Sequence, residues 1–256
     1  MNDSTVANSL RVLGIDISRA NPESALAQVL ASRHSNTTLK VNFLNSYCVV
    51  LANELTDYRN LLNTSAFNFC DGKPLAFIAR ALTGEKEIRQ VRGPSFFEHC
   101  LTPGNAVGES HYFIGGTELT RSKMLHRLRK DNPEIEISGF ECPPFRELSA
   151  KEREERISRI IESGATLVWM GLGTPKQDFE GYEIASKTHT VVFSVGAAFD
   201  FYSHTKSEAP KWIQKIGLEW FFRLATEPRR LWKRYLIGNL KFVALAVKYA
   251  FKGLPK

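Results

Sequence analysis

The chain has 256 residues, 43% of them hydrophobic and 24% charged, an ordinary globular make-up with enough length for one large domain or two small ones around a real core. Its four cysteines (Cys48, Cys70, Cys100, Cys142) are widely spaced with no CxxC pair, which speaks against a disulfide framework or a zinc site and for reduced thiols in a cytosolic protein. The net charge of +7 is unevenly placed: residues 204–256 hold 12 Lys and Arg against 3 Asp and Glu, a net of +9, while the other 203 residues carry 22 basic and 24 acidic side chains. The opening MNDSTVANSL lacks a basic segment followed by an apolar one, so no secretory signal is expected. No run approaches the ~18 apolar residues of a spanning helix, so no membrane crossing is expected either.

Arg11 to Ser18 reads as a short strand, and Asn21-Pro22 opens a helix to about Arg33. Thr38 to Asn45 is a strand, followed by a helix over Val49, Val50, Leu51, Leu55 and Leu61. Phe67 to Cys70 is a strand ending at Asp71-Gly72, and Pro74 starts a helix through Leu82. Gln90 to Pro94 is a loop, with helix over Ser95 to Leu101. His111 to Gly116 is strand then glycine turn, with Thr117 capping a helix to about Lys130. Ile135 to Phe140 is a strand and Leu148 to Ser163 a charged amphipathic helix. Thr166 to Gly173 is a buried strand, its helix runs to Lys187, and Thr190 to Gly196 is another strand. Strands alternating with helices predict an α/β fold: a Rossmann-like, largely parallel sheet with helices on both faces. Such sheets bind ligands at the carboxyl ends of their strands, where Asp71, Gly115-Gly116 and Gly171 to Gln177 fall.

The stretch TLVWMGLGTPKQ (Thr166 to Gln177) is the most informative. A buried strand breaks into Gly171-Leu172-Gly173, and Thr174 reads as an N-cap with Pro175 at the first helical position. Outward-facing backbone N–H groups there suit an anion, above all phosphate, with Lys176 and Gln177 as added donors. An ordinary βα turn would look the same.

After Phe201 the character changes, and residues 204–256 read as a basic helical appendage to a core of residues 1–203. Pro210 to Arg223 is helical and aromatic-rich, and Thr226-Glu227-Pro228 restarts a helix to about Phe251. Along it Arg230, Arg234, Lys241, Lys248 and Lys252 share one face, while Leu231, Trp232, Tyr235, Phe242, Leu245 and Tyr249 crowd the adjoining surface. A basic face beside Trp, Tyr and Leu suits an anionic membrane surface. A helix packed on the core with a solvated basic face is the other reading.

Several segments together resemble the WecG/TagA/CpsF glycosyltransferases: CDGKPLAF (Cys70 to Phe77), RQVRGPS (Arg89 to Ser95), the YFIGG turn, CPPF (Cys142 to Phe145), GLGTPKQ, VGAAFDF (Val195 to Phe201), and the long APKWIQKIGLEWFFRLATEPRRLWKRYLIGN. The resemblance spans about Val41 to Asn239. It implies a cytoplasmic enzyme, peripheral on the inner face of the bacterial cell membrane. Such an enzyme moves a sugar from a UDP-sugar to a polyprenyl-diphosphate-linked monosaccharide, with inversion, in the synthesis of teichoic acid or other surface polysaccharide. No cofactor is implied, and a homo-oligomer is compatible with it.

Inverting transfer needs one general base and stabilisation of the leaving diphosphate. Asp71, at a strand end beside Gly72, is the best-placed carboxylate, although Asp-Gly also makes turns. By the resemblance Arg89 or Arg92 is the active-site arginine, though each could be a plain surface cation; Lys176 and Gln177 touch nucleotide or sugar or only start a helix, and Asn45 orients the acceptor or only ends its strand. Arg223, Arg229, Arg230 and Arg234 are the cations that the C-terminal segment would bring over the site. No Asp-x-Asp occurs, so the usual carboxylate pair for a divalent metal is missing and cations with helix N-termini must do that work. Three positions depart from the family pattern: Phe43, two residues before Asn45, where Thr is common; Ser95, where Asp is common; and Gln90, three residues before Gly93, where the arginine usually stands. Two other classes compete. An NAD-dependent oxidoreductase would need a complete G-x-G-x-x-G and an acidic ribose ligand, neither of which is evident. A nucleic-acid-binding module would use the basic tail in salt-dependent binding.

Overall fold

The computed structural model describes residues 8–33 and 38–252, with Lys252 described by its backbone alone. Thus residues 1–7 and 34–37 of the expected core, and residues 253–256 of the expected appendage with the Lys252 side chain of its basic face, lie outside the described residues.

The chain opens with strands β1 (Ser9–Val12) and β2 (Ile15–Ser18), an antiparallel pair in which Val12 faces Ile15. The single strand expected from Arg11 to Ser18 is therefore a hairpin. Leu13 and Gly14 both have positive φ (52° and 84°), the two-residue turn whose twist matches paired strands. Helix α1 (Pro22–Ser32) follows, its start fixed by the Asn21 side chain accepting from the Glu23 and Ser24 N–H groups.

Next come β3 (Leu39–Leu44), α2 (Ser46–Glu54), α3 (Thr56–Thr64), β4 (Phe67–Cys70), α4 (Lys73–Thr83) and α5 (Gly93–Cys100). The one helix expected over Val49 to Leu61 is two, because Leu55 is extended (φ −117°, ψ 108°). Then follow β5 (Ser110–Gly115), α6 (Glu118–Asp131), β6 (Glu136–Glu141), α7 (Ala150–Glu162), β7 (Leu167–Gly171), α8 (Lys176–Thr188), β8 (Val191–Ser194) and α9 (Ala198–Tyr202). Thr174 is not the N-cap of α8: the Thr174-Pro175 peptide is cis and the helix begins one residue after Pro175 with no side-chain cap.

Strands β3 to β8 form one six-stranded sheet in the order β4-β3-β8-β7-β5-β6, every pair parallel. The fold is therefore α/β with helices on both faces, as the alternation of elements requires. Side-chain alternation sorts the core cleanly. One face carries Val41, Phe69, Phe113, Trp169 and Phe193 against α1, α5, α6 and α9. The opposite face carries Ile114, Val168, Met170 and Val192 against α7 and α8, and Leu44 and Cys70 against α2, α3 and α4.

That second face also buries a polar cluster. Lys40 is fully buried and its Nζ donates to Val41 O, Asn42 Oδ1 and Ser194 Oγ (3.1, 2.5 and 2.7 Å). Burial lowers its pKa to about 8 against the pull of nearby Asp178, and Asp178 in turn accepts from the Tyr58 hydroxyl at 2.9 Å. The donors and acceptors answer one another, which is what lets a lysine sit inside a sheet face.

Helix α6, after β5, and helix α8, after β7, pack on opposite faces. Strands β5 and β7 are neighbours, so the sheet has a topological switch point between them, the usual place for a ligand crevice.

The C-terminal segment folds back onto the core as α10 (Lys211–Ile216), α11 (Glu219–Thr226), α12 (Pro228–Trp232), one π-helical turn (Lys233–Ile237) and α13 (Gly238–Lys252). The expected helix from Pro210 to Arg223 is broken at Gly217, which is left-handed (φ 80°). The expected helix from Pro228 is continuous in path, through the π turn. Most of its expected aromatic surface points inward: Leu231, Tyr235 and Phe242 are buried, with Phe242 in the cluster of α2 and the hairpin and Leu245 and Tyr249 packed on it, whereas Trp232 is exposed. Arg234 is turned inward too, its guanidinium 4.5 Å from the Tyr47 ring, so the helix has no single solvent-facing basic stripe. Open to solvent instead are Leu240, Val243, Val247 and Phe251, a helical stripe with Leu236 one turn earlier. Leu240 is 74% and Phe251 89% exposed.

Candidate active site

Parallel pairing sets the site. Leu44 and Cys70 are register partners at the carboxyl ends of β3 and β4, so the next residues, Asn45 and Asp71, leave the sheet side by side. Asp71 N–H donates to Leu44 O (2.7 Å), and its carboxylate Oδ1 accepts the Gly93 N–H (2.7 Å) at the start of α5. Asn45 caps α2, its Oδ1 accepting from Tyr47 and Cys48 N–H (3.0 and 3.4 Å). Its amide nitrogen has no protein partner among the described residues.

Asn45 and Asp71 line a cavity of about 90 Å³ with Lys73, Gln90, Glu219 and Arg223. Tyr47, Trp220, Tyr235 and Asn239 also line it, so part of the enclosure comes from the C-terminal segment. Burial pushes the Asp71 carboxyl above its ordinary 3.8; the Gly93 N–H and the Arg92 and Arg223 guanidinium groups pull it down, and Glu219 pushes it up. A carboxylate raised by burial beside a cavity lined with donors has the character of a general base.

Of the two arginines left open by sequence, Arg92 stands near enough to Asp71 for its charge to act on that carboxyl, although it does not line this cavity, and Arg89 does neither. Arg92 is gripped by Glu219 (Nε–Oε2 2.7 Å) and Glu208 (Nη1–Oε1 2.5 Å), pairs that tie α5 to the C-terminal segment. Arg89 is exposed and its backbone N–H donates to Ala20 O. Gln90 takes the inward position, donating from Nε2 to Asp71 O at 2.7 Å.

Gln177 is buried and aimed at backbone. Its Oε1 accepts the N–H of Gly173 (2.9 Å) and of Gly196 (3.2 Å). The Gly173 N–H expected to face an anion is thus already satisfied, and Gln177 clamps the turn after β7 to the turn after β8. Lys176 donates to Arg146 O (3.0 Å) and sits 3.7 Å from Glu180, holding the CPPF loop against the β7 turn. At the switch point Gly115 and Gly171 are register partners, and a Cβ on Gly115 would stand 2.7 Å from Gly171 O. Only glycine permits that approach, and Gly115 also has φ of +137°.

Of the four C-terminal arginines, Arg223 lines the Asp71 cavity and Arg234 lies behind it on Tyr47. Arg230 is paired with Glu227 at 2.6 Å, and Arg229 is exposed. Sequence alone does not single out Lys73, Glu219, Tyr235 or Asn239 as site residues. Lys73 and Glu219 stand in quoted motifs, CDGKPLAF and GLEWFF, but nothing local signals that a residue at 219 faces one at 71. Among the described residues no group of three or more His, Cys, Asp or Glu side chains is placed to hold a metal ion. A family model described as the glycosyl transferase WecG/TagA/CpsF family matches residues 10–255, nearly the whole chain.

Proposed function

From the premise that this chain belongs to the WecG/TagA/CpsF glycosyltransferase family, we propose that it is an inverting enzyme moving a hexose, of the N-acetylmannosamine or uronic acid type, from a UDP-sugar to a polyprenyl-diphosphate-linked monosaccharide. The products would serve cell-surface polysaccharide or teichoic acid synthesis. The observation that carries the reading is the juxtaposition of Asp71 and Asn45 on adjacent strand ends, under the cation Arg223.

In this reading Asp71 takes the proton from the acceptor hydroxyl as that oxygen attacks the anomeric carbon, and the UDP leaves from the opposite side. The free Asn45 amide donates to a sugar hydroxyl and fixes the attacking oxygen. Arg223 offsets the charge that develops on the departing diphosphate. The donor lies along the carboxyl ends of β3, β8 and β7, its nucleotide toward the β5/β7 crevice that Gly115 and Gly171 leave open.

A peripheral position on the cytoplasmic membrane surface belongs to the same proposal. Among the described residues no helix is long and apolar enough to cross a membrane. The exposed stripe of Leu240, Val243, Val247 and Phe251, with Lys248 and the Glu54-paired Lys241 exposed beside it, supports a helix lying in the interface, apolar side down and Lys248 at the headgroups. Three aliphatic residues and Phe251, rather than the buried Tyr235 and Phe242, are the surface offered to lipid.

The test is turnover of a panel of UDP-sugars with a synthetic lipid-diphosphate monosaccharide, run with EDTA throughout. Transfer to the acceptor with inverted anomeric configuration is expected. Absence of transfer from every donor, or a requirement for Mn²⁺ or Mg²⁺, refutes the corresponding part of the proposal.

A further inference from the structure

A larger cavity, about 530 Å³, adjoins the Asp71 cavity, and the two share Lys73, Gln90 and Glu219 in their walls. Its size falls within the ~300–1,000 Å³ usual for small-molecule sites, whereas the Asp71 cavity has room for little more than part of a sugar. Its floor is apolar, formed by Pro22, Val91 and Phe96. One wall is α10, which contributes Lys211 and Lys215, one turn apart and therefore on the same helix side.

Neither lysine has a carboxylate partner among the described residues. Like charges at that spacing disfavour a helix, so the pair suits an anion supplied from outside. Residues Trp212 and Ile216 follow the lysines at the same spacing and are 64% and 58% exposed. Helix α10 therefore shows cations to the cavity and, on the neighbouring side, an aromatic and an aliphatic group to the surroundings. That is the arrangement of a helix at the level where lipid headgroups meet acyl chains.

We propose that this cavity receives the diphosphate and first isoprene units of the acceptor lipid. Lys211 and Lys215 hold the diphosphate, Pro22, Val91 and Phe96 pack on the prenyl chain, and the attached sugar reaches Asp71 past Gln90. This rests on the reading of the acceptor as a polyprenyl diphosphate.

The probe is farnesyl diphosphate, which carries the diphosphate and three isoprene units but no sugar, titrated calorimetrically into the full chain without membranes. The wild type binds it more tightly than inorganic diphosphate or farnesol. The double substitution Lys211→Ala with Lys215→Ala weakens it about tenfold or more, the loss expected of two charge-assisted contacts. Ser95→Phe, which fills the cavity from its exposed rim without altering charge, weakens it as well, with the near-ultraviolet circular dichroism unchanged. Farnesyl diphosphate binding that is the same in wild type and both variants overturns the site. If the wild type nonetheless transfers sugar to a prenyl-diphosphate acceptor, the glycosyltransferase reading survives that failure. Conversely, variants that lose farnesyl diphosphate in a chain that transfers no sugar uphold the site and refute the acceptor reading.

Discussion

Replacing Asp71 by asparagine separates the chemistry of this carboxylate from its part in the fold. The new amide oxygen can still accept the Gly93 N–H that Asp71 Oδ1 holds at 2.7 Å, so the start of α5 keeps its anchor. Exchanging a charged acceptor for a neutral one costs about 1 kcal/mol. Against that stands the burial that raises the Asp71 pKa above 3.8. A carboxyl with a raised folded pKa holds its proton more firmly in the folded chain than in the unfolded one. Its ionisation therefore subtracts stability, by nothing well below 3.8 and by the full amount once pH passes the folded pKa. The amide escapes that cost, so at neutral pH the two effects oppose and the melting temperature should shift by only a few degrees, about what 1 kcal/mol moves a domain of this size. Relative to wild type, the Asp71→Asn variant should gain stability as pH rises above 3.8. Turnover should fall roughly 10²–10⁴-fold, or ~2.7–5.5 kcal/mol of transition-state stabilisation. The wild-type rise of kcat/KM with pH through the Asp71 ionisation should vanish in the variant. Initial rates across pH, with thermal melts on the same samples, decide it. A variant turning over at the wild-type rate removes Asp71 from the reaction, and a rate loss that tracks a large fall in melting temperature makes its role structural.

Leu240→Glu combined with Val247→Glu should leave the melt unchanged, since both side chains are exposed, and should abolish sedimentation with anionic liposomes; each lost apolar insertion removes ~1.5–3 kcal/mol, and binding at the wild-type level refutes the membrane stripe. Cutting the chain after Arg223 is a poorer test, because it would also strip Tyr235 and Phe242 from the core. Gly115→Ala should push Gly115 from Gly171 O at the switch point and weaken UDP binding about tenfold or more, at a strain of ~1–3 kcal/mol; calorimetry showing unchanged affinity places the nucleotide elsewhere. Lys40→Met should strand Asn42 Oδ1 as a buried acceptor, at roughly 1–3 kcal/mol, while Ser194 Oγ keeps its bond to Gln177 O (3.3 Å); the loss should be visible as a lower denaturant midpoint, and a neutral result would show that the cluster re-pairs without the ammonium.

Much of this molecule is local in origin and is therefore legible in its sequence. The alternation of strand and helix, the turn residues at Asp71-Gly72 and Gly115-Gly116, and the asymmetry of charge follow from short-range propensities and spacing. They suffice for a parallel α/β sheet and for a carboxylate at a strand end. The Leu13-Gly14 hairpin and the breaks at Leu55 and Gly217 escape such a reading because each lies within a run whose hydrophobic period continues across it. Side-chain direction is a different matter. Gln177 reads as a ligand donor in sequence; the turns at Gly173 and Gly196 come together only when β7 and β8 pair, and their N–H groups then fix its Oε1 and leave the Nε2 donor out of those bonds. Arg89 and Arg92 are equivalent in sequence; the carboxylates of Glu208 and Glu219, more than a hundred residues away, draw Arg92 inward. Helix α13 is apolar on more than one side, so its own period cannot say which side docks. The surface of α2 and the hairpin takes Phe242, and that choice leaves Leu240, Val243, Val247 and Phe251 outside. Short-range propensity wrote the elements, and long-range packing, which buries one apolar face at the expense of another, decided which residues meet at Asp71 and which are left exposed.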